Sequence, residues 1–144
     1  MSLLSLPLHP RLVHFPIALL LAGSVAILVY EWRRYRWLAG WGFLALLAGW
    51  ALTLPGIITG LIDKSALPPD SEANRVANLH TTAIFVMWAV YGLALYWGWL
   101  WREDMDKDGR RWKLAVLLIL ASVILLAAGD LGGRLVYELG VGVD

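Results

Sequence analysis

The stretch that decides the fold is LVHFPIALLLAGSVAILVY, which runs from Leu12 to Tyr30 without a charged side chain. At about 1.5 Å of rise per residue, a helix of this length extends roughly 28 Å, close to the thickness of the hydrocarbon core of a bilayer. Backbone polar groups in lipid must bond within their own segment, which favours a helix over an open strand. The stretch therefore predicts a membrane-spanning α-helix.

Three more apolar stretches of similar length follow, and together they predict spans at about 12–30, 37–62, 76–101 and 114–136. Of the 144 residues, 60% are hydrophobic and 16% are charged, and the mean hydropathy is +0.67. A soluble domain rarely has so large an apolar share. We predict a single all-α domain, a four-helix transmembrane bundle in a lipid bilayer, with the N- and C-termini on the same side.

Basic residues predict the orientation of the bundle. The segments after the first and third spans hold eight of the twelve Lys and Arg residues. Basic loops of this kind are cytoplasmic under the positive-inside rule. We therefore expect both termini outside, in a periplasm or its equivalent. The N-terminus lacks the basic start of a signal peptide, so the first span is expected to stay in the protein.

Several kinds of chemistry are disfavoured by the composition. The chain has no cysteine, which excludes thiolate nucleophiles, Cys-ligated zinc, iron–sulfur clusters and covalently attached haem. The net charge of +1 gives no indication of nucleic-acid binding. Asp104–Gly109 matches the first half of a calcium loop, but Ala115 stands where the bidentate Glu belongs, so we expect a solvated acidic turn. No catalytic residue is predicted, and the question of enzyme activity is left open, with an electron-transfer or accessory subunit favoured.

All three histidines lie at the predicted outer end of the bundle. His9 and His14 open the first span, and His80 opens the third. Ionisable groups inside membrane spans are costly, so they are candidates for function. Two facing imidazoles on separate helices are the axial ligands that a b-type haem requires. We interpret His14 and His80 as such ligands; alternatively, both rings only hydrogen-bond the backbone or lipid headgroups.

Other residues at the same end fit a haem site. Gly132 and Gly133 would leave space for the flat macrocycle, and Arg11 or Arg134 would pair with its propionates. For Arg134 an intrahelical pair with Asp130, four residues earlier, is the favoured alternative. His9 is interpreted as a neighbour of the ligands. A rival hypothesis joins His9, His14 and His80 in a copper or zinc site.

Four segments resemble a family of bacterial membrane proteins, domain of unknown function 2231. They are LHPRLVHFPI at 8–17, TGLID at 59–63, LHT at 79–81, and GGRLVY at 132–137 with GVGV at 140–143. The resemblance implies a four-helix membrane domain that is sometimes joined to c-type cytochrome modules. Members often carry a His before the closing GVGV, where this chain has Leu139.

The leading hypothesis is therefore a b-type cytochrome-like electron-transfer subunit that holds haem between the first and third spans. Its expected partners are other membrane subunits or c-type cytochromes. The alternative is a non-catalytic accessory subunit that scaffolds a respiratory or photosynthetic complex and binds lipid or pigment.

Overall fold

Four long helices make up the protein. The structure, a computed structural model, describes residues 8–103 and 109–142, with side chains from residue 12 onward. The helices are α1 (Leu8–Arg33), α2 (Arg36–Ser65), α3 (Glu72–Leu100) and α4 (Arg110–Tyr137). All four are long and apolar enough to cross a membrane. The predicted all-α four-helix membrane bundle, with its first and last helix ends on one side, is confirmed.

The helices extend beyond the apolar stretches into polar flanks. Ser71 caps α3, because its side chain accepts a hydrogen bond from the Asn74 N–H at 3.0 Å. Gly109, with φ of +68°, precedes α4 in a left-handed conformation that glycine adopts without strain. Trp101, the last residue of the third predicted span, lies in a turn. Backbone hydrogen bonding continues past the apolar runs because polar flanks are compatible with helix outside the lipid.

The helices pack as two antiparallel pairs, α1 with α2 and α3 with α4, which meet through α2–α3 and α1–α4. Within the described helices, α1 and α3 occupy diagonal positions. Close backbone approach holds the first pair: a Cβ on Gly49 would lie 3.0 Å from the Leu20 Cγ, and one on Gly23 would lie 2.9 Å from the Gly42 carbonyl oxygen. Small residues permit such packing where lipid gives apolar side chains no reason to associate.

Buried apolar residues of the described chain form two clusters. The larger draws on all four helices and includes Leu20, Leu46, Met87 and Leu125. The smaller belongs to α3 and α4 alone and consists of Val76, Ala77 and Leu135, against which Leu67 and Val141 pack. The shared core thus reaches only part of the way along the bundle. We call the end where α1 and α3 begin the histidine end, and the opposite end the arginine end.

Candidate functional site

The contacts of a buried tyrosine relate the depth of His14 on α1 to the depth of His80 on α3. The Tyr91 hydroxyl lies 3.1 Å from the Ser24 Oγ on α1 and 3.1 Å from the Ser122 Oγ on α4. His14 is ten residues before Ser24 and His80 is eleven before Tyr91. At about 1.5 Å per residue, the two histidines are within about one helical turn of the same depth. The alignment of α1 with α3 therefore agrees with the common outer depth that the sequence indicates for His14 and His80.

His80 is oriented by α4. Its Nδ1 lies 2.8 Å from the Ala128 carbonyl oxygen. A carbonyl only accepts hydrogen bonds, so Nδ1 carries the proton and the lone pair of the neutral ring is on Nε2. A Cβ on Gly132 would lie 3.1 Å from the His80 Cε1. Gly132 therefore makes room for the imidazole itself, and space for a macrocycle beside it stays a prediction.

His14 has a different setting. Its side chain is exposed on α1, and the neighbouring Val13 packs against Gly56 of α2. The described contacts of this part of α1 are thus with α2, while those of His80 are with α4. His80 is therefore held by α4, and His14 lies on the surface of α1, the helix diagonal to α3.

The remaining predicted residues are placed as follows. Arg134 Nε forms an ion pair with the Oε2 of Glu138, the C-cap residue of α4, at 3.2 Å, so its partner is Glu138 and not Asp130. A Cβ on Gly133 would meet only the Tyr137 ring, at 3.9 Å, and this position is partly open. The side chains of His9 and Arg11 lie outside the described residues, as does most of the acidic turn at 104–109.

The described side chains form no cluster of metal ligands at this end. Among the side chains that the structure describes, no group of three or more His, Cys, Asp or Glu residues could hold a metal ion. The proposed copper or zinc site needs His9, so it stays a prediction.

Sequence reasoning missed a polar pair at the arginine end. Glu31 of α1 is 9% exposed, and its Oε2 accepts a hydrogen bond from the Arg111 Nε of α4 at 2.5 Å. Arg111 also donates to the Glu31 main-chain carbonyl. Glu31 Oε1 is buried without a hydrogen-bond partner among the described residues. Glu31 is the only carboxylate of α1, which is the signal that could have identified it, but the predicted span stopped one residue earlier.

Comparison with protein families identifies the family to which the chain is related. The model of a family described as Predicted membrane protein (DUF2231) matches residues 5–144, which confirms the resemblance over nearly the whole chain. No curated protein and no solved structure matches the chain.

Proposed function

We propose that this chain, which belongs to the DUF2231 family of predicted membrane proteins, is a b-type cytochrome-like electron-transfer subunit that binds haem b at the histidine end. His80 is proposed as an axial ligand. The observation that supports this role is the hydrogen bond of its Nδ1 to the Ala128 carbonyl oxygen, at 2.8 Å.

The hydrogen bond of His80 is of the kind that orients ligating histidines in proteins. A metal-binding imidazole almost always donates its second ring N–H to a carbonyl or carboxylate, which fixes the tautomer and orients the ring. The bond to Ala128 does this for His80 and makes Nε2 the ligating atom. Gly132 makes room for the ring in this orientation, because a Cβ there would lie 3.1 Å from Cε1.

His14 is proposed as the second axial ligand, because it lies at nearly the same depth as His80. Bound haem b would supply one-electron transfer at its iron. The residues of this chain would orient and anchor it. The proposed electron partners are other membrane subunits or c-type cytochromes on the periplasmic side, which is where the positive-inside rule puts the histidine end.

Haem content of matched variants tests the proposal. The protein is produced with haem available, purified in detergent, and assayed for haem per chain as the pyridine haemochrome. In His80→Asn the side-chain amide can still donate to the Ala128 carbonyl but cannot serve as a strong iron ligand, so we expect a folded protein without haem. In His14→Asn we expect weakened binding or a change of spin state.

Two results would contradict the proposal: full haem content in His80→Asn, or no haem in the unmodified protein. The second result, combined with co-purification of larger membrane partners, would favour the accessory-subunit hypothesis.

A further inference from the structure

The turn that joins α1 to α2 at the arginine end contains only two residues, Arg34 and Tyr35. Arg34 has φ of +62°, and its N–H donates to the Tyr30 carbonyl oxygen at 2.8 Å, so the chain reverses directly after the last turn of α1. Arg33 ends α1 and Arg36 begins α2. At about 3.8 Å per residue, the Cα atoms of these two arginines are at most roughly 11 Å apart. We call Arg33, Arg36 and the two residues between them the arginine turn.

The excess positive charge of the arginine end lies in the arginine turn. Glu31, the only carboxylate of α1, is buried and bonded to Arg111 of α4. Apart from Arg111, the segment 102–113 contains four basic and four acidic residues, and its Arg102 lies 3.8 Å from Glu103. The basic residues of that segment are thus matched in number by acidic residues close in sequence. The arginine turn contains no acidic residue, so its charge is the excess.

Exposed aromatic rings flank the arginine turn. The side chains of Trp32 and Trp37 are 77% and 69% exposed, and that of Tyr35 is 54% exposed. Trp and Tyr rings favour the boundary between membrane and water, because an apolar ring and a polar N–H or O–H are both accommodated there. The rings therefore put the arginine turn at the depth of the phospholipid headgroups, where the available anions are lipid phosphates.

The Arg33 guanidinium is held by one of these rings. Its central carbon lies over the Trp32 ring, 4.4 Å from the ring centroid, so the contact uses the flat face of the guanidinium. The N–H donors of a guanidinium lie in its plane and form a fork that matches two oxygens of a phosphate. Contact with Trp32 therefore positions Arg33 without using the donors that bind a phosphate.

We propose that the arginine turn binds the headgroup of an anionic phospholipid, with Arg33 and Arg36 donating to its phosphate oxygens. Such a lipid has its phosphate at the depth of the turn, its acyl chains in the surrounding bilayer, and a net negative charge that matches the turn. A zwitterionic phospholipid has the same phosphate but also an ammonium group, which the arginines repel. The site therefore prefers anionic to zwitterionic lipid. It does not involve haem, which is proposed for the opposite end of the bundle.

Native mass spectrometry tests this preference. Delipidated protein in a non-ionic detergent is titrated with dioleoylphosphatidylglycerol and, separately, with dioleoylphosphatidylcholine, and the ratio of the two apparent affinities is measured. We expect the parent protein to favour phosphatidylglycerol. In the double variant Arg33→Gln, Arg36→Gln the ratio should fall by about fivefold or more, since one basic residue at an anionic lipid surface contributes about that factor.

The matched control removes two charges from the other turn at the same end of the bundle. The double variant Arg102→Gln, Lys113→Gln changes the net charge by the same amount, and all four substituted side chains are exposed. We expect this control to keep the affinity ratio of the parent, because its arginine turn is unchanged. Far-UV circular dichroism should show the helicity of the parent in both variants, since neither removes a buried side chain.

Four results would overturn the proposal. Equal affinity of the parent for the two lipids would show no preference for an anionic headgroup. An equal fall in the two double variants would show that net charge acts without a local site. Displacement of bound phosphatidylglycerol by excess glycerol 3-phosphate would identify a site for a soluble phosphate compound. A preference that arises only in the variant Asp104→Asn, Asp106→Asn, Asp108→Asn would show that this acidic segment, and not lipid, covers the arginine turn.

Discussion

Trp50 and Trp88 are stacked with ring centroids 4.4 Å apart and planes inclined by 15°. The Trp50 Nε1 donates to the Trp88 main-chain carbonyl at 2.9 Å, and the Trp88 Nε1 donates to the Trp50 carbonyl at 3.3 Å. This reciprocal contact joins α2 to α3 and so links the two helix pairs. Since lipid provides no hydrophobic drive between helices, such packing and hydrogen bonding must supply the association.

Trp50→Phe tests the polar part of this contact. The smaller ring can still stack on Trp88 but donates no hydrogen bond, so we expect a loss of about 1 kcal/mol, within the range for interhelical hydrogen bonds in membranes. Reversible unfolding by sodium dodecyl sulfate in mixed micelles measures it. Trp37→Phe is the control, since Trp37 is 69% exposed. An equal loss in both variants would show that the Trp50–Trp88 hydrogen bonds do not contribute to the free energy of unfolding.

Tyr91→Phe removes the hydroxyl that bridges α1 and α4. Ser24 and Ser122 keep their bonds to the carbonyls of their own helices, so neither is left without an acceptor. We expect a loss of stability of about 0.5–1.5 kcal/mol in the same unfolding measurement. Tyr96→Phe, at a residue 55% exposed, should change stability little. Identical unfolding of Tyr91→Phe and the parent protein would contradict the role assigned to the hydroxyl.

Gly132→Ala and Gly129→Ala form a matched pair three residues apart on α4. The new methyl at position 132 would lie 3.1 Å from the His80 Cε1, whereas at position 129 it meets nothing within 4 Å. We expect Gly132→Ala to displace the imidazole and lower both stability and haem content. Gly129→Ala should be neutral or stabilising, since alanine favours helix over glycine by up to about 1 kcal/mol. The prediction fails if the two variants have the same haem content.

Arg111→Leu leaves the buried Glu31 without its cation. Breaking a buried pair costs about 3–5 kcal/mol, and we expect roughly 2 kcal/mol here because Arg111 is 36% exposed and partly screened. The double variant Glu31→Leu, Arg111→Leu removes both charges and should recover most of the lost stability. Mixed-micelle unfolding of the parent, Arg111→Leu, Glu31→Leu and the double variant gives the coupling energy. A double variant less stable than Arg111→Leu would contradict this account of the pair.

The fold follows from the sequence because span length and apolarity are local properties. The four helices and the common depth of His14 and His80 were predicted from uncharged runs and from rise per residue. Rotation about each helix axis was not predictable, since every span is apolar on all faces. As a result, the sequence did not indicate that His80 contacts Ala128 and Gly132 of α4.

Contacts between side chains that are far apart in the chain were also not predictable from the sequence. Glu31 and Arg111 are 80 positions apart, and in the sequence each is a charged residue near the end of a helix, with nothing to indicate a partner. Trp50 and Trp88 are 38 positions apart, and they contact one another between helices. Only the packing of α1 on α4 and of α2 on α3 brings these residues together.

The most direct test of the central claim is a reduced-minus-oxidised optical spectrum of the purified protein, produced with haem available. The account predicts an α-band of the b-type haem class in the unmodified protein and its loss in His80→Asn. A folded, monodisperse protein with no such band would contradict the claim that this bundle carries haem at His80.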